Sequence, residues 1–109
     1  MKNVLIPGIS GYLGGVLARR LAGEAGVERI VGIDVREPIF TLPCLTFLQR
    51  DITRPLTRIF IDYRIDTALH LAFIVAPTRD EARARRTNIE GSRNFLDAAA
   101  QAGTRQVFY

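Results

Sequence analysis

Three glycines, Gly8, Gly11 and Gly14, stand three residues apart in "PGISGYLG", Pro7 to Gly14. Glycine at that spacing keeps the backbone bare where a side chain would otherwise stand. An apolar strand, Asn3 to Ile6, precedes the run, and a helical pattern follows it. A strand that turns into a helix presents the unpaired N–H groups of the first helical turn and the positive end of the helix dipole. A pyrophosphate suits both. Gly8 allows the tight turn, Gly11 removes the side chain where a phosphate comes closest, and Gly14 lets the helix pack near the strand. The plain alternative is a glycine-rich turn with no ligand.

A second position supports the first. "ERIVGID", Glu28 to Asp34, is apolar until its last residue, and Asp34 falls twenty residues after Gly14. A carboxylate there accepts both ribose hydroxyls of an adenosine. It also repels a 2′-phosphate, which favours NAD over NADP. Arg36, two residues on, is the group that would reverse the preference by pairing with that phosphate. An ordinary strand-end aspartate in a turn is the alternative.

The elements that must position these residues follow from period and punctuation. Leu13, Leu17 and Leu21 fall four apart with Val16 beside them, an amphipathic helix that Gly23 to Gly26 ends. Strands are expected at 28–34, 45–51 and 66–72. Thr53 is expected to cap a short helix that takes Pro55 in its first turn and buries Leu56, Ile59, Phe60 and Tyr63. A loop with Pro77 leads to a long helix over 79–102, with Ile89, Phe95, Leu96 and Ala99 inward and Gly103 as its stop. "RQVFY" begins a fifth strand.

Strands alternating with helices predict right-handed crossovers and a parallel sheet. Near-continuous apolar runs fit strands covered on both faces. The expected class is α/β: a Rossmann-like doubly wound parallel sheet, five strands in the order 3-2-1-4-5, truncated after the fifth strand. The ligand then belongs at the carboxyl ends of strands one and four, where the order reverses.

Composition bounds the rest. At 109 residues the chain is at most one small domain, residues 1–109. With 48% apolar and 24% charged residues it reads as globular. No apolar run reaches the roughly 18 residues of a membrane span, so no membrane partner is expected. One cysteine, Cys44, excludes an intrachain disulfide and reads as a cytoplasmic thiol. The formal charge is +4, with arginines crowded in "TRDEARARR", Thr78 to Arg86. Asp80 and Glu81 interleave with them as intrahelical partners, which reads as a solvated helix face. No aromatic residue stands among them to stack a base, so no nucleic acid is expected.

Together these residues resemble the extended short-chain dehydrogenase/reductase superfamily, of the NAD-dependent epimerase/dehydratase type. Its TGxxGxxG signature is similar to "PGISGYLG" except for the threonine. That match assigns Gly8, Ser10, Gly11, Tyr12, Leu13 and Gly14 to the cofactor cradle. The acidic end of the second strand matches Asp34. The family's Asp-Val or Asp-Ile pair, which contacts adenine, matches Asp51-Ile52. Its HLAA-like fourth strand matches "HLAF", so the backbone of Leu71, Ala72 and Phe73 would line the path of adenosine and nicotinamide ribose. Its NxxGTxN helix matches "NIEGSRN", Asn88 to Asn94, and implies that Asn88 bonds neighbouring backbone and supports the site. His70, the only histidine, is structural in that family.

The departures are specific. Pro7 replaces threonine and removes a backbone donor, tolerable at a strand end but not within a ladder. Phe73 replaces a small residue and implies a tighter pocket. In the family a Ser/Thr follows the fifth strand, and then a Tyr-xxx-Lys pair whose tyrosine is the acid/base and whose lysine lowers its pKa. Tyr12, Tyr63 and Tyr109 have no lysine four residues on, and Lys2 is the only lysine. No catalytic residue and no metal ligand is therefore assigned. The resemblance implies the NAD(P)-binding portion of an epimerase, dehydratase or reductase. The alternative is a non-catalytic dinucleotide-binding module or sensor. It also implies a homodimer through the long helix 79–102.

Overall fold

The computed structural model describes residues 1–72 and 80–108. β1 (Asn3–Pro7) is the central strand. It pairs in parallel with β2 (Arg29–Asp34) on one side and β4 (Thr67–Leu69) on the other. β3 (Leu45–Gln49) flanks β2, and β5 (Gln106–Phe108) flanks β4. The five-stranded order is β3-β2-β1-β4-β5, as the alternating pattern predicts. Helices α1 (Tyr12–Ala22), α2 (Thr57–Asp62) and α3 (Glu81–Ala102) fall between strands along the chain.

Both faces of the central strands β1 and β2 are buried. Val4 and Ile6 pack with Ile9, Ala18 and Ile30 on the α1 side. Leu5 points the other way, to Val31, Ile33, Phe60 and Phe95 beneath α2 and α3. This alternation within one apolar run is the mark of a strand covered twice. Each such side chain contributes roughly 1.5–3 kcal/mol by leaving water.

Asp66 fixes where β4 starts. Its carboxylate accepts the N–H groups of Lys2, at 3.0 Å, and Asn3, at 2.7 Å, and the Thr67 hydroxyl at 2.8 Å. Burial alone would raise its pKa, but these donors and the nearby amino terminus outweigh it and hold the carboxyl below its ordinary value.

Several expectations are corrected. The fourth strand is the short β4 rather than 66–72, although its backbone stays bonded beyond: His70 N–H donates to Phe108 O and Leu71 N–H to Pro7 O. β3 stops at Gln49 rather than Asp51, because Asp51 opens a turn closed by Arg54 N–H on Asp51 O. Thr53 does not cap α2. Leu56 holds the cap position with no side-chain bond, Pro55 precedes the helix, and Thr53 bonds Asp51 instead.

Ile89 and Leu96 do not face inward; they are 53% and 40% exposed. The buried face of α3 is Ala84, Gly91, Phe95, Ala98 and Ala99. Small residues there let the helix lie close, and a Cβ at Gly91 would stand 2.6 Å from Ile52 Cγ2. Leu13 is likewise exposed, since α1 meets the sheet through Gly14, Gly15 and Ala18. The loop at Pro77, the start of the long helix at Arg79, and Tyr109 lie outside the described residues.

Candidate functional site

The glycine run forms the turn between β1 and α1. Pro7 ends the central strand, and the next residue makes good its missing donor: Gly8 N–H donates to Ile33 O at 2.8 Å. Gly8 has φ +87°, and a Cβ there would lie 2.6 Å from the carbonyl oxygen of Leu71. At Gly14 a Cβ would fall 2.3 Å from Gly8 O. Packing within the chain therefore demands glycine at both positions. Gly11 is different: its Cβ would meet only Gly8 O, at an ordinary 3.5 Å. Nothing inside the described chain requires the bare backbone there.

Gly11 is the N-cap of α1 and offers no side-chain bond; the first turn holds no acidic residue. Gly15 N–H makes the first bond back, to Gly11 O at 3.1 Å. The N–H groups of Tyr12, Leu13 and Gly14 have no acceptor within the helix and need one from outside it.

Beside this turn lies a cleft of about 370 Å³ at the carboxyl ends of the strands. Gly8 and Gly11 form one wall, Asp34 and Arg36 the end of β2, and Leu71 and Ala72 the end of β4. Asp34 ties the turn to β2: its Oδ2 accepts Ser10 N–H and its Oδ1 accepts Arg36 N–H, each at 3.1 Å. The Ser10 hydroxyl donates to Arg36 O, closing the loop.

Asp51 and Ile52 line the cleft after β3. Asp51 Oδ1 accepts both the N–H and the hydroxyl of Thr53, at 2.9 and 2.8 Å. These bonds hold its carboxyl below the ordinary value against the opposing effect of burial, with help from the charges of Arg54 and Arg83. Asn94, on α3, donates its amide to Ile52 O at 2.8 Å and to Arg54 O, so the turn is held from both sides.

Of the residues expected to bind a cofactor, Gly8, Gly11, Asp34, Arg36, Asp51, Ile52, Leu71 and Ala72 line this cleft together. Ser10 and Gly14 stand behind it as supports of the turn. Tyr12 and Leu13 have exposed side chains and are not part of the lining; their backbone N–H groups stand in the first turn of α1. Asn88 is half-buried on α3 and is not part of the lining. Phe73 lies outside the described residues.

The sequence reading missed Arg50, Arg83 and Thr87 on the cleft. On sequence alone Arg83 falls with the solvated arginines, and only the fold brings it to the cleft.

His70 stands behind the β4 wall, 2% exposed. Its ring stacks on Phe95 with centroids 4.8 Å apart. Nδ1 accepts Ala72 N–H at 3.3 Å, which puts the neutral ring's proton on Nε2, facing Ser92 Oγ at 3.1 Å. Burial lowers its pKa to about 4. Among the described residues, no group of His, Cys, Asp and Glu could hold a metal ion. None of the described helices is long and apolar enough to cross a membrane.

A parallel sheet ordered β3-β2-β1-β4-β5 with a cleft at its switch point defines a Rossmann-like α/β fold. The chain matches the model of the NAD dependent epimerase/dehydratase family over residues 4–109, and it belongs to that family. A "3-beta-hydroxysteroid dehydrogenase" of Mycolicibacterium neoaurum is 34% identical over 116 residues, covering 100% of this chain and 31% of that protein. The Bordetella bronchiseptica enzyme WbmH, solved in complex with NAD+, superposes with TM-score 0.86 at 30% identity, over 100% of this chain and 38% of that one. The GalE-like L-threonine dehydrogenase of Cupriavidus necator, in its holo form, gives TM-score 0.86 at 27% identity, over 98% and 36%. The chain thus spans about a third of the length of these relatives.

Proposed function

We propose that residues 1–109 are the dinucleotide-binding part of a nicotinamide-dependent oxidoreductase, with NAD the favoured cofactor. The observation that carries this reading is Gly11. Its missing side chain serves no contact within the described chain, and it stands beside the three N–H groups of α1 that have no acceptor within the helix. A pyrophosphate fits there. Asp34 would take the adenosine ribose hydroxyls, Asp51 and Ile52 the adenine, and the backbone of Leu71 and Ala72 the path toward the nicotinamide.

The bound dinucleotide supplies hydride transfer between its nicotinamide and a substrate carbon. This chain's own residues bind and orient it and fix the strand ends around it. We place the proton-transferring residues in the rest of the whole protein, since this chain spans about a third of the length of its relatives.

Thermal unfolding with rising NAD and, separately, NADP tests the reading. NAD at about 100 times its Kd should stabilise the chain by about 2.7 kcal/mol. A shift with NADP alone would give the ribose site to Arg36. A cooperative melt that neither ligand moves would end the dinucleotide reading.

We also propose a homodimer through α3. Ile89 and Leu96, seven residues apart, form an exposed apolar stripe on it. Light scattering should give a dimer mass, and Ile89→Asp should return a monomer. A monomeric wild type would reject the pairing.

A further inference from the structure

No aromatic side chain lines the cleft among the described residues. Adenine is a flat ring that gains from a flat or cationic neighbour over its face. The flat groups that this cleft does present are guanidiniums, of Arg36, Arg50 and Arg83. They are not equivalent. Arg36 belongs to the Asp34 end, which takes ribose on the reading above. Arg50 turns back on its own strand, with Nη1 donating to Gln49 O at 2.8 Å.

Arg83 approaches from α3, on the side of the Asp51-Ile52 turn. Its backbone is fixed, because the N-cap residue Asp80 accepts Arg83 N–H at 2.8 Å. Its charge reaches Asp51, whose carboxyl it helps to keep ionised. A neighbouring carboxylate offsets that charge, so a phosphate gains less from it. What remains to offer is the planar face and the aliphatic stem. Phosphate, in contrast, has its own place at the start of α1, beside Gly11.

We infer that Arg83 lays its guanidinium against the adenine ring of the bound dinucleotide and makes the cleft selective for an adenine end. The inference rests on the dinucleotide reading. Arg83 is exposed, so its replacement leaves the core intact.

Calorimetry on the wild type, Arg83→Ala and Arg83→Lys tests it, with NAD, AMP and nicotinamide mononucleotide as probes. Arg83→Ala should weaken NAD and AMP by the same factor, about three- to thirtyfold, and leave nicotinamide mononucleotide unchanged. Arg83→Lys keeps the charge without the plane and should recover little of the loss. Unchanged NAD and AMP affinity would overturn the inference. So would full recovery by lysine, or an equal loss for nicotinamide mononucleotide, since both mark a charge acting on phosphate. The two readings fail differently. Wild type that binds NAD while Arg83→Ala binds it equally well sinks only the role of Arg83. Wild type that binds neither NAD nor AMP sinks the dinucleotide reading and this inference with it.

Discussion

Gly11→Ala should keep the stability of the chain and lose at least tenfold in NAD affinity, about 1.4 kcal/mol, while Gly14→Ala should unfold more easily. The two glycines are three residues apart and differ in what a methyl group would meet. At Gly11 the new carbon has 3.5 Å to Gly8 O, a normal contact, and φ −79°, which alanine adopts freely. Alanine is a poorer cap than glycine but restricts the unfolded chain. These effects oppose each other and leave stability within about 1 kcal/mol. The methyl group then occupies the space where a phosphate oxygen must approach the N–H groups of α1. At Gly14 the methyl carbon would stand 2.3 Å from Gly8 O and 2.9 Å from both Ile9 Cα and Ile9 O. All three are backbone, so the helix itself must move. Alanine's helix propensity returns about 1 kcal/mol, but a clash on this scale costs more, and we expect a net loss of about 2 kcal/mol. For a chain of this size that is a drop of roughly 10 °C in Tm. Urea titration and NAD calorimetry on both variants separate the roles. Gly14→Ala at wild-type stability would contradict the close packing of α1. Gly11→Ala with full NAD affinity would mean that its bare backbone serves no ligand.

The glycines were legible in sequence because backbone constraints are local. A strand period, a helix period and three bare positions between them fix a turn without tertiary information. The sheet order was legible for a similar reason, since alternating elements leave few topologies. Asp34 followed from the end of one strand. What the sequence did not show was assembled across distance. Arg50 closes a strand and Arg83 opens a helix, and only the sheet order brings both to one cleft. The inward face of α3 was half legible: Phe95 and Ala99 are buried as expected, and the rest of the face is built from small residues. Hydrophobicity pointed to Ile89 and Leu96, whereas close approach selected Ala84, Gly91 and Ala98. Thr53 was read as a helix cap because threonine before a helix often is one. Asp51 outcompeted the helix for its hydroxyl and N–H. Asn94 sat in a recognised motif, but its work, holding the Asp51 turn, required the turn to be in place.

Stability should fall by about 3 kcal/mol between pH 6.5 and pH 4, and His70 should account for it. The folded-state pKa is lowered to about 4 from 6.5 by burial. The unfolded chain therefore binds a proton in this window that the folded chain refuses, so the stabilisation is complete above pH 6.5 and lost as pH falls toward 4. At roughly 1.4 kcal/mol per pH unit, the window amounts to about 3 kcal/mol, a large share of the stability of a small domain. The geometry supplies the reason for the refusal. Protonation would place a second N–H on the ring, at Nδ1, facing the Ala72 N–H that now donates to it. With the ring stacked on Phe95 at 2% exposure, burial leaves the new charge poorly solvated. The window is also clean. The chain holds one histidine, and the lowered carboxyls of Asp51 and Asp66 add their stability above their unfolded value of 3.8 and lose it only below that. His70→Gln should be less stable than wild type at pH 7.5, because the stacked ring is gone, yet nearly flat from pH 6.5 to pH 4, so the two curves converge in acid. Urea midpoints across this range decide the matter: parallel curves for wild type and variant would show that His70 titrates normally, and would put the acid sensitivity elsewhere in the fold. Because Ala72 lines the cleft and donates its N–H to this ring, the acid limb should bring a loss of NAD affinity before global unfolding.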